Sequence, residues 1–475
     1  MNYPKTPFLG VAYVARSKTL ADQQCINLFP EIVESKSGAA VGAFYGCPGL
    51  LLQLTVDGGP IRGMLVAMGY LYVVSGAGLY QVDQYYNKTL LGTLATSTGF
   101  VSMVANQTQV AVFDSVGGYS WASGSFATIS LPFSNPGLAA YMDGLAVCTQ
   151  AGTFNLWQSN VNDLTTWGSL NFTTEDGSAD NVVSIIEFHN QLVVFKQGFT
   201  CFYINAGLNG FVFQRLSGVY AETGCAAPNS VAKVDEAVLW LGQNAQGGKA
   251  VYMMKGYEPQ RVSTHAIEYA IAQYSTVSDA VAFCYSQEGH KFYVLTFPTG
   301  NATWVLDLTA TQKMGIAAWH QRAAFSNGAF SQYQAQTQAY FNGLVLVGDY
   351  QNGNIYSLNL DTYTDNGAPR KWVRSWRAVQ EAKYEPTKFN FLEVFCETGN
   401  GETPTANPQL VLRYSDDSFS WSPELFQPLG AQGNTGNQIR WNRLGMTRRG
   451  LSSDRIFELS STDPFKVALL AADIG

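Results

Sequence analysis

Paired carboxylates are the side chains that hydrolyse a glycosidic bond, one protonating the leaving oxygen while the other attacks or activates water. Two clusters have that composition: Glu175, Asp176 and Asp180 in FTTEDGSADN, and Asp416 with Asp417 in RYSDDSFSWS. Both lie among Gly and Ser, where a carboxylate ordinarily accepts turn N–H groups, so turn capping is the expected role. The four histidines, His189, His265, His290 and His320, show no ligand spacing. Each is expected to be a satisfied polar side chain. No GxSxG, HExxH, Walker loop or GxGxxG occurs. No catalytic, cofactor-binding or metal residue is assigned, and no cofactor is expected.

The Asp416/Asp417 segment is similar to the sialidase Asp box, S-x-D-x-G-x-T-W, but is one residue short between Ser415 and Trp421 and has Phe419 in the glycine place. The seven cysteines, Cys25, Cys47, Cys148, Cys201, Cys225, Cys284 and Cys396, are odd in number and form no CxxC pair. Buried, reduced thiols of a cytoplasmically assembled protein are expected rather than a disulfide framework or zinc site. The remaining concentration of chemistry is basic: Arg440, Trp441, Arg443, Arg448 and Arg449. Guanidinium groups interleaved with an indole suit a protein interface, a solvated strand face or a nucleic-acid contact, and the interface is the preferred reading because Arg brings a fork of donors.

Lys and Arg number 28 against 35 Asp and Glu, a net charge of -7, and charged residues make up only 13% of the chain. So sparse and mildly acidic a set neither coats nucleic acid nor keeps a chain disordered. From Arg370 onward there are 13 basic and 12 acidic residues, which leaves 15 and 23 in the first 369. The body is therefore acidic and the tail close to neutral. Neither a signal peptide nor a run of ~18 apolar residues is recognised.

Something must position these groups, and the sequence supplies it as a repeat. A run of β-formers, a turn rich in Gly, Asn or Ser, and a second run recur from Leu71, Val110, Leu145, Leu192, Val238, Phe292 and Leu344. The starts are 35 to 54 residues apart. A hairpin takes about 15 residues, so each period leaves room for two more strands, the size of a propeller blade. A lone hairpin is marginal, and radial stacking covers both faces of every sheet. The expected fold is all-β: a six- or seven-bladed β-propeller over residues 41–368, an N-terminal arm over 1–40 and a small C-terminal β-sandwich over 369–475. A pair of β-sandwiches is the alternative topology. Val41 to Val56 reads as a strand pair completing the last blade, His265 to Tyr274 as a short helix, and the histidines as lying in different blades. The tail strands are expected at Phe389 to Cys396, Gln409 to Tyr414, Arg440 to Leu444, Arg455 to Ser460 and Pro464 to Ala471.

Three segments carry a family resemblance: Phe154 to Gly207, with its Trp/Ser strand, Asp-x-x-x-Trp turn and aspartate-rich loop; Cys25 to Leu50 (CINLFPEIVESKSG…GAFYGCPGL); and Ile439 to Gly475, beginning IRWNRLGMTRR. Together they resemble the tail-hub, or packaged-DNA stabilisation, proteins of short-tailed phages. The resemblance implies a structural virion protein rather than an enzyme, assembled in the host cytoplasm as a ring, expected to be a hexamer. That ring would continue the DNA channel below the portal and adaptor, close the head after packaging, and dock tail fibres or spikes and a plug or needle. Double-stranded DNA would pass without specific binding, as an acidic body favours, and no membrane insertion is expected. Arg440, Trp441, Arg443, Arg448 and Arg449 are the expected assembly interface. The alternative function is a carbohydrate-binding or glycoside-hydrolysing propeller of a phage tail.

Overall fold

The computed structural model describes residues 8–18, 20–34, 41–175, 180–244, 246–378, 387–447 and 455–475. All seven hairpins read from the sequence are present, each as the second and third strands of a blade, so the propeller has seven blades. These strands were legible because both of their faces are covered: Leu71, Val73 and Val74 in blade 1 and Leu192, Val194 and Phe195 in blade 4 are fully buried. The innermost strands run Ile61–Ala67, Ser102–Ala105, Pro136–Met142, Val182–Phe188, Ala232–Val234, Val281–Gln287 and Ala335–Phe341. Blade 5 breaks its inner edge into Gly224–Cys225 and Ala232–Val234 around a 3-10 turn at Pro228–Ser230.

Five of the turns joining first to second strands have both central residues at positive φ: Met68-Gly69, Asp143-Gly144, His189-Asn190, Glu288-Gly289 and Asn342-Gly343. This backbone matches the right-handed twist of the strands it joins. The ring closes with a strand from the opposite end of the chain. Gly49–Thr55 pairs antiparallel with Asn354–Asn359 as the outermost strand of blade 7. Its neighbour in sequence, Gly42–Gly46, does not join that blade as expected. It pairs with Leu28–Ile32 and Ala468–Ile474 in the sandwich, where Phe44 is fully buried. The reason lies in Cys47-Pro48: a proline cannot continue the ladder, and the chain changes sheet there.

The sandwich grows directly out of blade 6. The outer strand of that blade, Ala318–Arg322, pairs with Cys25–Ile26, which pairs with Trp372–Arg377, and the sheet continues through Ile456–Ser461, Gln409–Ser415 and Leu425–Pro428. The facing sheet has the order Leu28–Ile32, Gly42–Gly46, Ala468–Ile474, Lys388–Cys396 and Ile439–Met446. Trp376, Phe457, Leu459, Leu412 and Leu392 form the core between them. Residues 8–18 and 20–34 are therefore laid along both bodies. Arg374, fully buried, donates from Nε and Nη2 to the Phe8 carbonyl at 3.0 and 2.7 Å. Among the described residues the two α-helices, His265–Ala272 and Leu308–Met314, are short connectors capped by Thr264 and Asp307.

Candidate functional site

The arginine-bearing strand Ile439–Met446 is an edge strand of the sandwich, paired among the described residues only with Lys388–Cys396. Strand alternation separates its residues into two populations. Trp441 points inward, almost wholly buried, with its indole N–H donating to the Leu425 carbonyl at 3.1 Å. Arg440 points outward but is held within the chain: Nη1 is 3.1 Å from the Glu393 carboxylate, Nε donates to Asn442 at 3.1 Å, and the guanidinium lies 3.7 Å over the Phe391 ring. Opposite Phe389 and Phe391 the register slips, and Arg443 takes φ +59 at this bulge. Its side chain is exposed and makes no ion pair with another described residue. Bulges and charges of this kind prevent unspecific edge-to-edge pairing while leaving a directional contact available. Arg448 and Arg449 lie outside the described residues.

The charge balance of the tail changes when burial is considered. Arg370, Arg374 and Arg455 are interior side chains, and Arg413 is paired with Glu458 at 2.5 Å. Arg443 is thus the basic residue of the described cluster that remains open to a partner.

The described members of both acidic clusters are engaged in holding the fold. Asp416 receives Arg455 through two bonds of 2.7 and 3.0 Å, while Asp417 accepts the backbone N–H groups of Ser420 and Phe419, which pull its carboxyl well below the usual range. Glu175 is buried, ion-paired to Arg215 at 3.0 Å and hydrogen-bonded by the Tyr203 hydroxyl. Asp180 accepts the Gly198 N–H at 2.7 Å, and Asp176 falls outside the described residues. Beside them Lys196 is buried and donates to the Glu175 carbonyl at 2.8 Å; burial lowers its pKa against the pull of Glu175 and Asp180.

The histidines require a correction, since His290 and His320 share blade 6. Residues 30 apart in sequence are brought together on Phe292, His290 stacked on it and His320 edge-on. His290 donates from Nδ1 to Asp307 at 2.6 Å, and its Nε2 meets Glu31 of the N-terminal segment. Asp307 also caps the helix Leu308–Met314 by accepting the Ala310 N–H. This link between the propeller and residues 28–32 escaped sequence reasoning because its members are 259 positions apart. The only local signal was Asp307 preceding a short apolar-poor helix. Among the described residues, no group of three or more His, Cys, Asp and Glu has metal-site geometry. No helix among the described residues is long and apolar enough to cross a membrane.

Comparison with known proteins bears on this architecture. Among solved structures, the Pan2 WD40 domain of Neurospora crassa is similar over 69% of this chain and 96% of its own, at 8% identity and a TM-score of 0.41. The extracellular domain of BT4673 from B. thetaiotaomicron matches over 75% of this chain and 45% of its own, at 12% identity and a TM-score of 0.44. No curated protein sequence matches the chain. Two family models do: the bacteriophage P22 Gp10 β-propeller over residues 5–363 and the bacteriophage P22 Gp10 β-sandwich over residues 371–474. The chain accordingly belongs to the bacteriophage P22 Gp10 family, structural proteins of the phage tail that stabilise packaged DNA.

Proposed function

We propose that this virion protein forms a ring, a hexamer, that continues the DNA channel below the portal and adaptor, closes the head once DNA is packaged, and docks fibres or spikes and a plug or needle. Membership of the Gp10 family over both domains is the observation that carries the reading. The acidic body supports the conduit role, because carboxylates repel phosphates instead of gripping them. On this reading the sandwich supplies the contact to the neighbouring ring, through the edge strand Ile439–Met446 and the exposed Arg443, with Arg448 and Arg449 following in sequence. Arg440 positions that strand through Glu393, and Trp441 anchors it in the core.

The test is a variant carrying Arg443→Glu and Arg448→Glu. Charge-assisted contacts at an interface are worth ~2 kcal/mol or more each, so reversing two of them should abolish incorporation into tailed particles and leave heads that lose DNA. Melting and circular dichroism should stay near those of the unaltered protein. Normal incorporation and full infectivity would remove the assembly role from this edge.

A further inference from the structure

The propeller carries a second surface unrelated to the sandwich edge. On the face formed by the turns between first and second strands, the central channel opens into a funnel of about 750 Å³, within the ~300–1,000 Å³ typical of binding sites. Its wall is aliphatic, with Val66, Met68, Met103 and Ile186 prominent, and the Glu187–Lys233 ion pair of 3.0 Å forms its polar border.

Met68 is anomalous there. The corresponding turns of other blades place Asp143, His189, Glu288 or Asn342 at the first positive-φ position, as expected of a site that favours short polar side chains. Blade 1 instead places a long apolar side chain at φ +51 and leaves it 36% exposed. A long apolar side chain at a turn position that favours short polar ones breaks a local rule, and such breaks concentrate at functional positions. Val66, which lines the funnel with Met68, and Tyr70, two residues on, are also more than a third exposed. Scattered surface apolars need no explanation, but exposed ones that line an apolar funnel do. A methionine also adapts its shape to an incoming chain.

The rest of the rim is acidic. Across blades 3 to 6 the same turns and the strand ends beside them carry Asp143, Glu187, Asp235, Glu236 and Glu288, against Lys233 and Lys291. The lysines are ion-paired to Glu187 and Asp235, which leaves Asp143, Glu236 and Glu288 as the carboxylates with no ion pair to another described residue.

We propose that this funnel binds a protruding protein segment, a chain end or loop, whose apolar tip enters the channel over Met68 and whose flanking Lys or Arg residues face the carboxylates of blades 3 to 6. The charge complementarity excludes a nucleic acid, and the one-sided apolar shelf fixes the orientation. The site does not depend on ring formation or on Arg443.

The test uses the full-length protein and two fluorescein-labelled synthetic peptides with the same Leu-Ile-Leu centre, one flanked by lysines and one by glutamates, followed by fluorescence anisotropy. The lysine peptide should bind one site per chain and the glutamate peptide at least tenfold more weakly. Met68→Asp is compatible with the turn, so the fold survives, and it adds negative charge. It should nonetheless weaken the lysine peptide at least fivefold, whereas unspecific attraction to an acidic protein would strengthen. Failure of the lysine peptide to bind, equal binding of both peptides, or undiminished binding to Met68→Asp would each overturn the proposal. So would self-association of the unaltered protein that Met68→Asp abolishes, since the occupant would then be a second copy.

Discussion

The carboxamide of Asn27 completes both hydrogen bonds of the Ala323 peptide: Oδ1 accepts its N–H at 3.0 Å and Nδ2 donates to its carbonyl at 2.9 Å. The same Nδ2 reaches the Lys371 carbonyl at 2.7 Å, so one side chain joins the N-terminal segment to blade 6 and to the start of the sandwich strand Trp372–Arg377. Asn is suited to the position because its backbone stands at φ +55, a conformation Asn tolerates better than most residues.

Asn27→Ala should therefore destabilise the protein by roughly 2–4 kcal/mol, because it leaves buried polar groups on both bodies without partners. Asn27→Gly relieves the backbone term but loses the same hydrogen bonds, and should recover only ~1 kcal/mol of that loss. Urea denaturation of both variants measures the difference. If Asn27→Gly matched the unaltered protein, the side-chain link would carry no stability.

How far the fold could be read from sequence follows from where burial falls. The second and third strands of each blade are covered on both faces and read as apolar runs, and so all seven were found. The outermost strand of blade 1, Lys88–Thr93, is largely exposed and gives little pattern. The segment around Cys25–Ile26 contributes only two residues to a nine-stranded sheet. No periodicity can be seen over two residues, and the role of that segment is set by pairings more than 290 positions away. Trp372–Arg377 was missed for a different reason. Its fully buried Arg374 looks like a surface residue until the Phe8 carbonyl is known to lie against it. In the candidate site, Trp441 and the arginines were visible as a composition. Strand alternation then decided which face each occupied, and the bulge at Arg443 came from a register slip that the sequence does not encode by period.

The two histidines of blade 6 should give opposite pH dependences. Burial disfavours charge on His290, yet Asp307 and Glu31 outweigh it and raise its pKa, with Lys313 on the far side of Glu31. A raised histidine stabilises fully below its unfolded pKa near ~6.5, and that contribution disappears as pH rises through the folded value. His320 is held down to about 3, first by burial and then by the cationic Arg322 and His290. Its contribution is present above pH ~6.5 and falls away as pH drops from there toward 3. Unfolding free energies across pH 3 to 9 should show that His290→Gln removes a decline on the alkaline side and His320→Gln one on the acid side. Parallel curves for all three proteins would refute this assignment.

All seven cysteines are free thiols, five of them buried. Burial pushes Cys25, Cys148, Cys201, Cys225 and the partly exposed Cys396 up to about 12, so little thiolate exists at neutral pH. A chromogenic thiol reagent should find no fast-reacting group in the native protein and seven after denaturation without reductant. Two or more pairs protected as disulfides would contradict assembly in a reducing compartment.

Within the edge strand, neighbouring substitutions should separate folding from assembly. Trp441→Ala removes a buried indole and should cost about 3–5 kcal/mol, enough to lower the melting temperature by several degrees. Arg440→Ala breaks a partly exposed pair and its contact with Phe391, and should cost only ~1 kcal/mol. Arg443→Glu should leave melting unchanged. A large loss of stability in Arg443→Glu would place that residue in the fold instead of at a contact.

A cryo-electron microscopy reconstruction of the tailed particle tests the central claim most directly. The account predicts a ring of propeller and sandwich densities beneath the portal and adaptor, enclosing the DNA channel, with the strand Ile439–Met446 and Arg443 against an acidic surface of the adjoining ring. Particles in which this chain is absent from that position, or in which it is present with the sandwich edge facing solvent, would contradict it.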